Sequence, residues 1–123
     1  MDEQGVMAVV GQSGIERMVA GFYRRVKGDD LIGVMYPKDD LEGAEERLRD
    51  FLMFRLAGDQ SYMEKRGHPR LRMRHMPFKI GQAEADRWVE LMDAAMDEAN
   101  VPRVARGELS AFFRQVADFL QNK

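Results

Sequence analysis

Apolar residues recur at helical spacing along nearly the whole chain, and this periodicity restricts the possible fold more than any other feature. In the first strong segment, Ile15, Met18, Val19, Phe22 and Val26 fall on one helical face. Later stripes carry Leu41, Ala44, Leu48, Phe51, Leu52 and Leu56, then Ala85, Trp88, Val89, Met92, Met96 and Ala99, and finally Leu109, Phe112, Phe113, Val116 and Leu120. No segment alternates as a strand does, so the pattern predicts an all-α protein of about five helices.

Turn-forming residues mark the predicted boundaries between these helices. Tyr36-Pro37 interrupts the chain because the residue before a proline avoids helical backbone, and Asp39 with Glu42 could cap the helix that follows. Pro102 and Gly107 are predicted to separate the last two helices. The segment from 57 to 67 shows no strong period and is predicted to be a loop, which is often functional at this length in a small helical domain.

The chain has 123 residues and a mass of 14.2 kDa, which predicts a single domain over residues 1–123. It contains no cysteine, which excludes disulfides, thiolate catalysis and cysteine-ligated zinc or iron–sulfur sites. The apolar runs are too short to cross a bilayer, and no secretory signal pattern is visible. We therefore expect a cytoplasmic protein without membrane association.

A histidine follows an arginine-rich segment in the middle of the chain. Pro69 can begin a short helix, His75 closes it, and Pro77 prevents it from continuing. An imidazole at a helix end with cations nearby is what an anionic metal macrocycle such as haem needs, because imidazole ligates iron and arginines pair with propionates. On spacing alone, an ordinary surface or core histidine is the more common explanation.

The same region is locally basic. From Lys65 to Lys79 there are six lysines and arginines and no acidic residue, although the whole chain has a net charge of −2. Local positive charge suits a bound anion, and a solvated basic face is an equally good interpretation. A nucleic-acid-binding module is a weaker alternative, because the chain is acidic overall and lacks a convincing recognition helix with its paired turn.

Several motifs together resemble a known family. They are Tyr36-Pro37-Lys38-Asp39-Asp40-Leu41 continuing through Ala44-Glu45-Glu46-Arg47-Leu48, the run from Arg66 to Phe78, Asp86-Arg87-Trp88, and Phe22-Tyr23. With these motifs the sequence resembles the truncated haemoglobins, and in particular their second group. The resemblance covers about residues 6–99 and weakens toward the C-terminus. It implies a single-domain truncated globin, a two-over-two helical sandwich around haem.

The resemblance also implies roles for individual residues. His75 matches the proximal iron ligand, and Tyr23, Tyr36 and Trp88 match polar residues on the ligand side. Ala44 falls where many globins have a distal histidine or glutamine, so it should leave room without donating a hydrogen bond. The implied cofactor contacts are Phe22, Arg47, Leu48, Phe51, Tyr62, Arg74, His75 and Phe78. Without the resemblance, a plain core role would be the more common explanation for these aromatic residues.

The implied function is a haem protein that binds O₂ and other small diatomic ligands through haem b. Redox chemistry on nitric oxide or peroxide would make it a dioxygenase- or peroxidase-like enzyme and would call for a reductase partner. Several donors around the ligand should slow O₂ release, which favours chemistry or sensing over oxygen transport. A haem-based sensor acting through a separate partner is an alternative. The sequence does not predict an oligomeric state.

Overall fold

The computed structural model describes residues 2–123 and confirms the all-α prediction. Within these residues there are six α-helices and one 3₁₀ turn, and no strand. The elements are α1 (Glu3–Lys27), the 3₁₀ turn (Gly33–Met35), α2 (Leu41–Ala57), α3 (Ser61–Arg66), α4 (Leu71–His75), α5 (Gln82–Glu98) and α6 (Arg103–Phe119).

The first helix is longer than the apolar stripe alone indicates. It begins after Asp2, whose side chain accepts a hydrogen bond from the Gly5 N–H at 2.8 Å. It bends at Gly11, where a φ of 73° interrupts the helical backbone and is readily adopted only by glycine. The strongly apolar part, from Ile15 to Val26, lies beyond this bend and is buried.

The second helix begins one residue later than a cap at Asp39 predicts. Asp40, and not Asp39, occupies the N-cap position, and its carboxylate accepts from the Gly43 N–H at 3.2 Å. The helix ends at Gly58, which adopts left-handed backbone with a φ of 72°. Both ends of α2 are thus set by local residues, as expected for a helix with clear sequence signals.

The prediction of a loop over 57–67 is wrong, because six of its residues form α3. The Asp59 carboxylate accepts from the Ser61 N–H at 2.9 Å and turns the chain into the helix. Tyr62 is buried and stacks on Phe54 of α2 with ring centroids 5.6 Å apart. A helix this short depends on such tertiary contacts, and six residues are too few to show a helical period.

The last two helices correct another predicted boundary. The final helix begins at Arg103, immediately after Pro102, and continues through Gly107 without interruption. Proline suits this position because the first residues of a helix need no internal N–H partner. The break between α5 and α6 is therefore shorter than the two turn-forming residues predicted.

The helices form two packed pairs. α1 packs on α2, α5 packs on α6, and the two pairs meet mainly where α1 contacts α5. The largest fully buried side chains are Phe22, Phe113, Ile15, Met18, Ile32, Leu52, Met92, Met96, Leu109, Val19 and Val26. The short helices α3 and α4 lie between α2 and α5 in the chain and complete one end of a cavity. Across residues 2–123, no helix is both long and apolar enough to cross a membrane.

Candidate functional site

A cavity of about 390 Å³ lies between the two helix pairs and the short helices. This volume is within the range of pockets that bind small organic ligands and cofactors. All eleven predicted site residues other than Phe22 line it: Tyr23, Tyr36, Ala44, Arg47, Leu48, Phe51, Tyr62, Arg74, His75, Phe78 and Trp88. The structure thus brings together residues that are spread over 65 positions of the sequence, from Tyr23 to Trp88.

Phe22 is the exception among the predicted contacts. It is fully buried and does not line the cavity. Its ring instead contacts Tyr23 and Trp88, with centroid distances of 5.2 Å and 5.0 Å. Phe22 therefore packs behind Tyr23 and Trp88 and does not contact the cavity.

His75 stands at the C-terminal end of α4 with one ring nitrogen already engaged. Its Nδ1 lies 2.6 Å from the Leu71 carbonyl oxygen. A carbonyl can only accept, so Nδ1 carries the proton and donates. Nε2 is then the nitrogen with a free lone pair, and it has no hydrogen-bond partner within residues 2–123. This is the arrangement by which proteins orient a metal-ligating imidazole.

The other histidine has the opposite arrangement. His68 is exposed, and its Nδ1 accepts a hydrogen bond from the Arg70 N–H at 3.0 Å. Its ring does not line the cavity. Of the two imidazoles in the chain, His75 alone faces this space.

Polar aromatic side chains form another part of the wall. The Trp88 Nε1–H donates to the Tyr36 hydroxyl oxygen at 3.2 Å. Tyr23 packs edge-on against the Tyr36 ring with a centroid distance of 5.5 Å, and its hydroxyl has no hydrogen-bond partner within residues 2–123. Because Trp88 fills one acceptor site on the Tyr36 oxygen, the Tyr36 O–H remains available to donate elsewhere.

Both of these phenols keep their protons far above neutral pH. Burial raises the pKa of Tyr36 to about 12, although the hydrogen bond from Trp88 lowers it in part. Burial also raises the pKa of Tyr23 well above its ordinary value, with a further contribution from Tyr36 and an opposing one from Arg47. The wall therefore offers O–H donors and no phenolate across the physiological range.

The basic segment divides into paired and unpaired cations. Arg66 lies 3.0 Å from Asp50, and both Arg66 and Lys65 lie 3.4 Å from Glu46, so these two cations are neutralised locally. Arg74 lines the cavity, is exposed, and has no side-chain partner within residues 2–123. Arg47 also lines the cavity, and it pairs with Asp40 at 3.4 Å.

The last helix contributes wall residues that the sequence analysis did not assign. Phe113, Val116 and Ala117 of α6 line the cavity, as does Leu120 immediately after it. Phe113 also contacts Trp88, with ring centroids 5.5 Å apart. The apolar stripe of α6 was visible in the sequence, but a stripe that faces a cavity has the same pattern as one that faces a solid core.

The profile of the bacterial-like globin family matches residues 7–122. The chain belongs to this family. The match extends to residue 122, so the similarity to the family covers more of the C-terminus than the predicted range of about residues 6–99. Membership implies a haem-binding, oxygen-related protein.

Individual globins are similar to this one over most of their length. The group 2 truncated hemoglobin YjbI of Bacillus subtilis is 36% identical over 103 residues, which are 84% of this chain and 74% of that protein. The hemoglobin of Chloroflexus aurantiacus is 43% identical with a TM-score of 0.90, covering 96% of this chain and 98% of that one. The truncated oxygen-avid haemoglobin of Bacillus subtilis is 32% identical with a TM-score of 0.89, covering 95% and 98%. The fold of this globin is thus the two-over-two sandwich of the truncated haemoglobins.

Proposed function

We propose that this globin is a single domain over residues 1–123 that binds haem b in the cavity, and that His75 would ligate its iron. The observation that carries the proposal is the hydrogen bond from His75 Nδ1 to the Leu71 carbonyl at 2.6 Å. It fixes the tautomer in which Nε2 is free, in a side chain that lines a cavity. When bound there, ferrous haem supplies the iron at which O₂ and other diatomic molecules bind.

The other wall residues fit an amphipathic macrocycle. Leu48, Phe51 and Phe78 present apolar surface to the cavity, and Ala44 leaves space beside them. Arg74 is the cation best placed for a propionate, because it lines the cavity and no carboxylate within residues 2–123 pairs with it. Arg47 is the second candidate, and it would have to share its charge with Asp40. Tyr62 joins the apolar wall through its stacked ring.

The ligand side is built to donate hydrogen bonds. Preorganised hydrogen-bond donors in a low-dielectric site stabilise negative charge on a small ligand such as O₂. The Tyr36 O–H is the leading donor because Trp88 already donates to its oxygen and so orients its proton away. Tyr23 offers a second O–H from the same wall. Trp88 acts on the ligand through Tyr36, whose hydroxyl it orients.

Such a pocket favours retention of O₂ over rapid delivery. We therefore propose a cytoplasmic globin that performs chemistry on, or senses, small diatomic species, with nitric oxide or peroxide as candidate reactants. Turnover would need a reductase as electron donor. The alternative of nucleic-acid binding is weakened by Lys65 and Arg66, whose charges are paired with Glu46 and Asp50.

A visible absorption spectrum of the purified protein tests the proposal. We expect one haem per chain, a five-coordinate ferrous spectrum, and a shift of the Soret band on adding carbon monoxide. Pyridine treatment should give the haemochrome spectrum of haem b. A protein that stays colourless after titration with hemin, yet binds duplex DNA with strong salt dependence, would replace this function with the nucleic-acid alternative.

A further inference from the structure

The helix that bears His75 needs support from outside itself. α4 has only five residues, Leu71–His75, and Pro77 prevents its continuation. Helices of this length are unstable alone, and the carbonyls of their last turn lack helical partners. Contacts from another segment of the chain must therefore hold the His75 end of α4 in place.

Asn122, near the far end of the chain, supplies that support. Its Nδ2 donates to the Phe78 carbonyl at 2.8 Å and to the His75 carbonyl at 3.3 Å. Its Oδ1 accepts from the Ile80 N–H at 2.9 Å. One amide side chain thus contacts three backbone groups between the end of α4 and the start of α5, of which the His75 carbonyl also accepts from the Phe78 N–H at 3.0 Å.

Backbone contacts extend the same attachment. The N–H groups of Asn122 and Lys123 both donate to the Ile80 carbonyl, at 2.8 Å and 3.2 Å. Ile80 is buried and lines the cavity. On the other side of α4, Arg72 donates to the Phe119 carbonyl at 3.1 Å and lies over the Phe119 ring. Arg72 therefore binds the C-terminal segment. Its presence in the basic segment has a structural explanation that does not require a bound anion.

We infer that residues 119–123 form a proximal strap, and that Asn122 is a positioning residue which fixes the backbone of His75 and thereby the strength of its bond to the cofactor. This inference rests on the proposed haem-binding function. The amide is suited to the role because it can donate to two carbonyls and accept from one N–H simultaneously. Without it, the His75 and Phe78 carbonyls lose the hydrogen bonds that they accept from the C-terminal segment.

Three variants separate this role from general stability. Asn122→Ala removes all three side-chain hydrogen bonds. Asn122→Asp keeps the shape and an acceptor for the Ile80 N–H, but it cannot donate to the two carbonyls when ionised. Gln121→Ala is the matched control, because the Gln121 side chain contacts Gln82 and Asp118 and not the His75 segment.

Two measurements on the haem-loaded protein report on the bond directly. We expect Asn122→Ala and Asn122→Asp to broaden or shift the iron–histidine stretching band of the ferrous protein, and to raise the rate of haem transfer to an acceptor apoglobin by roughly tenfold. Hydrogen exchange at the Ile80 amide should quicken in Asn122→Ala and less in Asn122→Asp. Gln121→Ala should match the wild type in all three readouts.

The outcomes distinguish this inference from the proposed function. If the wild type takes up haem through His75 but both Asn122 variants keep its stretching band and haem-loss rate, the strap is only structural and the inference is overturned. If the wild type takes up no haem, the proposed function fails and this role falls with it. Should Asn122→Ala prove too unstable to load haem, the isosteric Asn122→Asp variant still decides: an altered stretching band and haem-loss rate support the inference, and unchanged ones overturn it.

Discussion

The Trp88 indole N–H donates to the Tyr36 hydroxyl across the cavity wall at 3.2 Å, which makes these two side chains one unit. Trp88 comes from α5, whereas Tyr36 follows the 3₁₀ turn, 52 residues earlier. In isolation, each would be expected to donate to a ligand independently. Their pairing means that Tyr36 presents the free proton and Trp88 determines where that proton points.

Replacing either partner should therefore have similar consequences. We expect Trp88→Phe and Tyr36→Phe each to speed O₂ release by roughly ten- to a hundredfold, since a hydrogen bond to a charge-bearing ligand is worth about 1.5–3 kcal/mol. The double variant should be little worse than either single one, because both remove the same interaction. Stopped-flow release from the ferrous protein measures all three rates. Carbon monoxide release, which involves less charge, is the control, and fully additive effects on O₂ would show that the two donors act separately.

The raised pKa values of the tyrosines predict a flat pH profile. Because burial raises the pKa of Tyr36 to about 12, its donor form is present at every pH below that value. The O₂ release rate should therefore stay constant from about pH 6 to pH 10, where an ordinary tyrosine begins to ionise. A rise in rate near pH 10 that disappears in Tyr36→Phe would mean that the hydroxyl is in contact with solvent.

His75 and His68 provide a matched pair of substitutions. His75→Ala should lose haem, or retain it without the five-coordinate ferrous spectrum, because the only imidazole facing the cavity is gone. His68→Ala should leave the Soret band unchanged, since that ring is exposed and bonded to the Arg70 N–H. Absorption spectra of both variants after hemin titration make the comparison. Normal loading of His75→Ala without added imidazole would remove the assignment.

The cation at the cavity edge should contribute less than a buried one. Arg74 is exposed, and exposed ion pairs are worth about 0.2–1 kcal/mol, so Arg74→Ala should speed haem loss by roughly 1.4- to fivefold. The effect should shrink at high salt, because screening weakens an exposed pair. Lys79→Ala is the control, as an exposed basic residue of the same segment that does not line the cavity. Equal haem-loss rates in the two variants would leave Arg74 without a role in cofactor binding.

An ion pair between Asp29 and Arg87 connects two segments that line the cavity. Asp29 is nearly buried, with 7% of its side chain exposed, and it accepts from Arg87 at 2.6 Å and from the Leu31 and Ile32 N–H groups. Although burial raises its pKa, the hydrogen bonds from Ile32, Arg87 and Leu31 lower that pKa below the ordinary 3.8 overall. The pair thus connects the start of α5 to the turn that carries Ile32.

Asp29→Asn should lower the free energy of unfolding at pH 7 by about 1–2 kcal/mol. Because the pKa is lower in the folded state, the unfolded chain binds the proton more tightly. The stabilisation is complete above the ordinary value of 3.8 and is lost as the pH falls through the folded pKa. Urea unfolding of wild type and variant at several pH values tests this. Asp30→Asn is the control, since Asp30 is 95% exposed and 3.4 Å from Arg87; a loss equal to that of Asp29→Asn would refute the buried role.

Much of the fold could be predicted from the sequence because its long helices have strong apolar periodicity. The stripe from Ile15 to Val26 and the one from Ala85 to Ala99 each repeat over several turns, and the structure buries their apolar residues. The motif from Arg66 to Phe78 identified His75 as the candidate ligand through the family resemblance. Cavity residues as distant as Tyr23 and Trp88 were also selected in this way, although their spacing alone could not separate them from core residues.

The sequence by itself determined the helical class and the family, because helical periods and motif spacing are local properties of the chain. The family resemblance selected eleven of the residues that line the cavity, but none from α6. Tertiary structure alone decided that Trp88 donates to Tyr36, that Phe22 stands behind the wall, and that α3 is a helix. It also decided that Asn122 holds the end of the His75 helix, 47 residues away. Short helices are stable only through tertiary contacts, and hydrogen bonds between distant residues form only once the long helices have packed. No local sequence pattern encodes that packing.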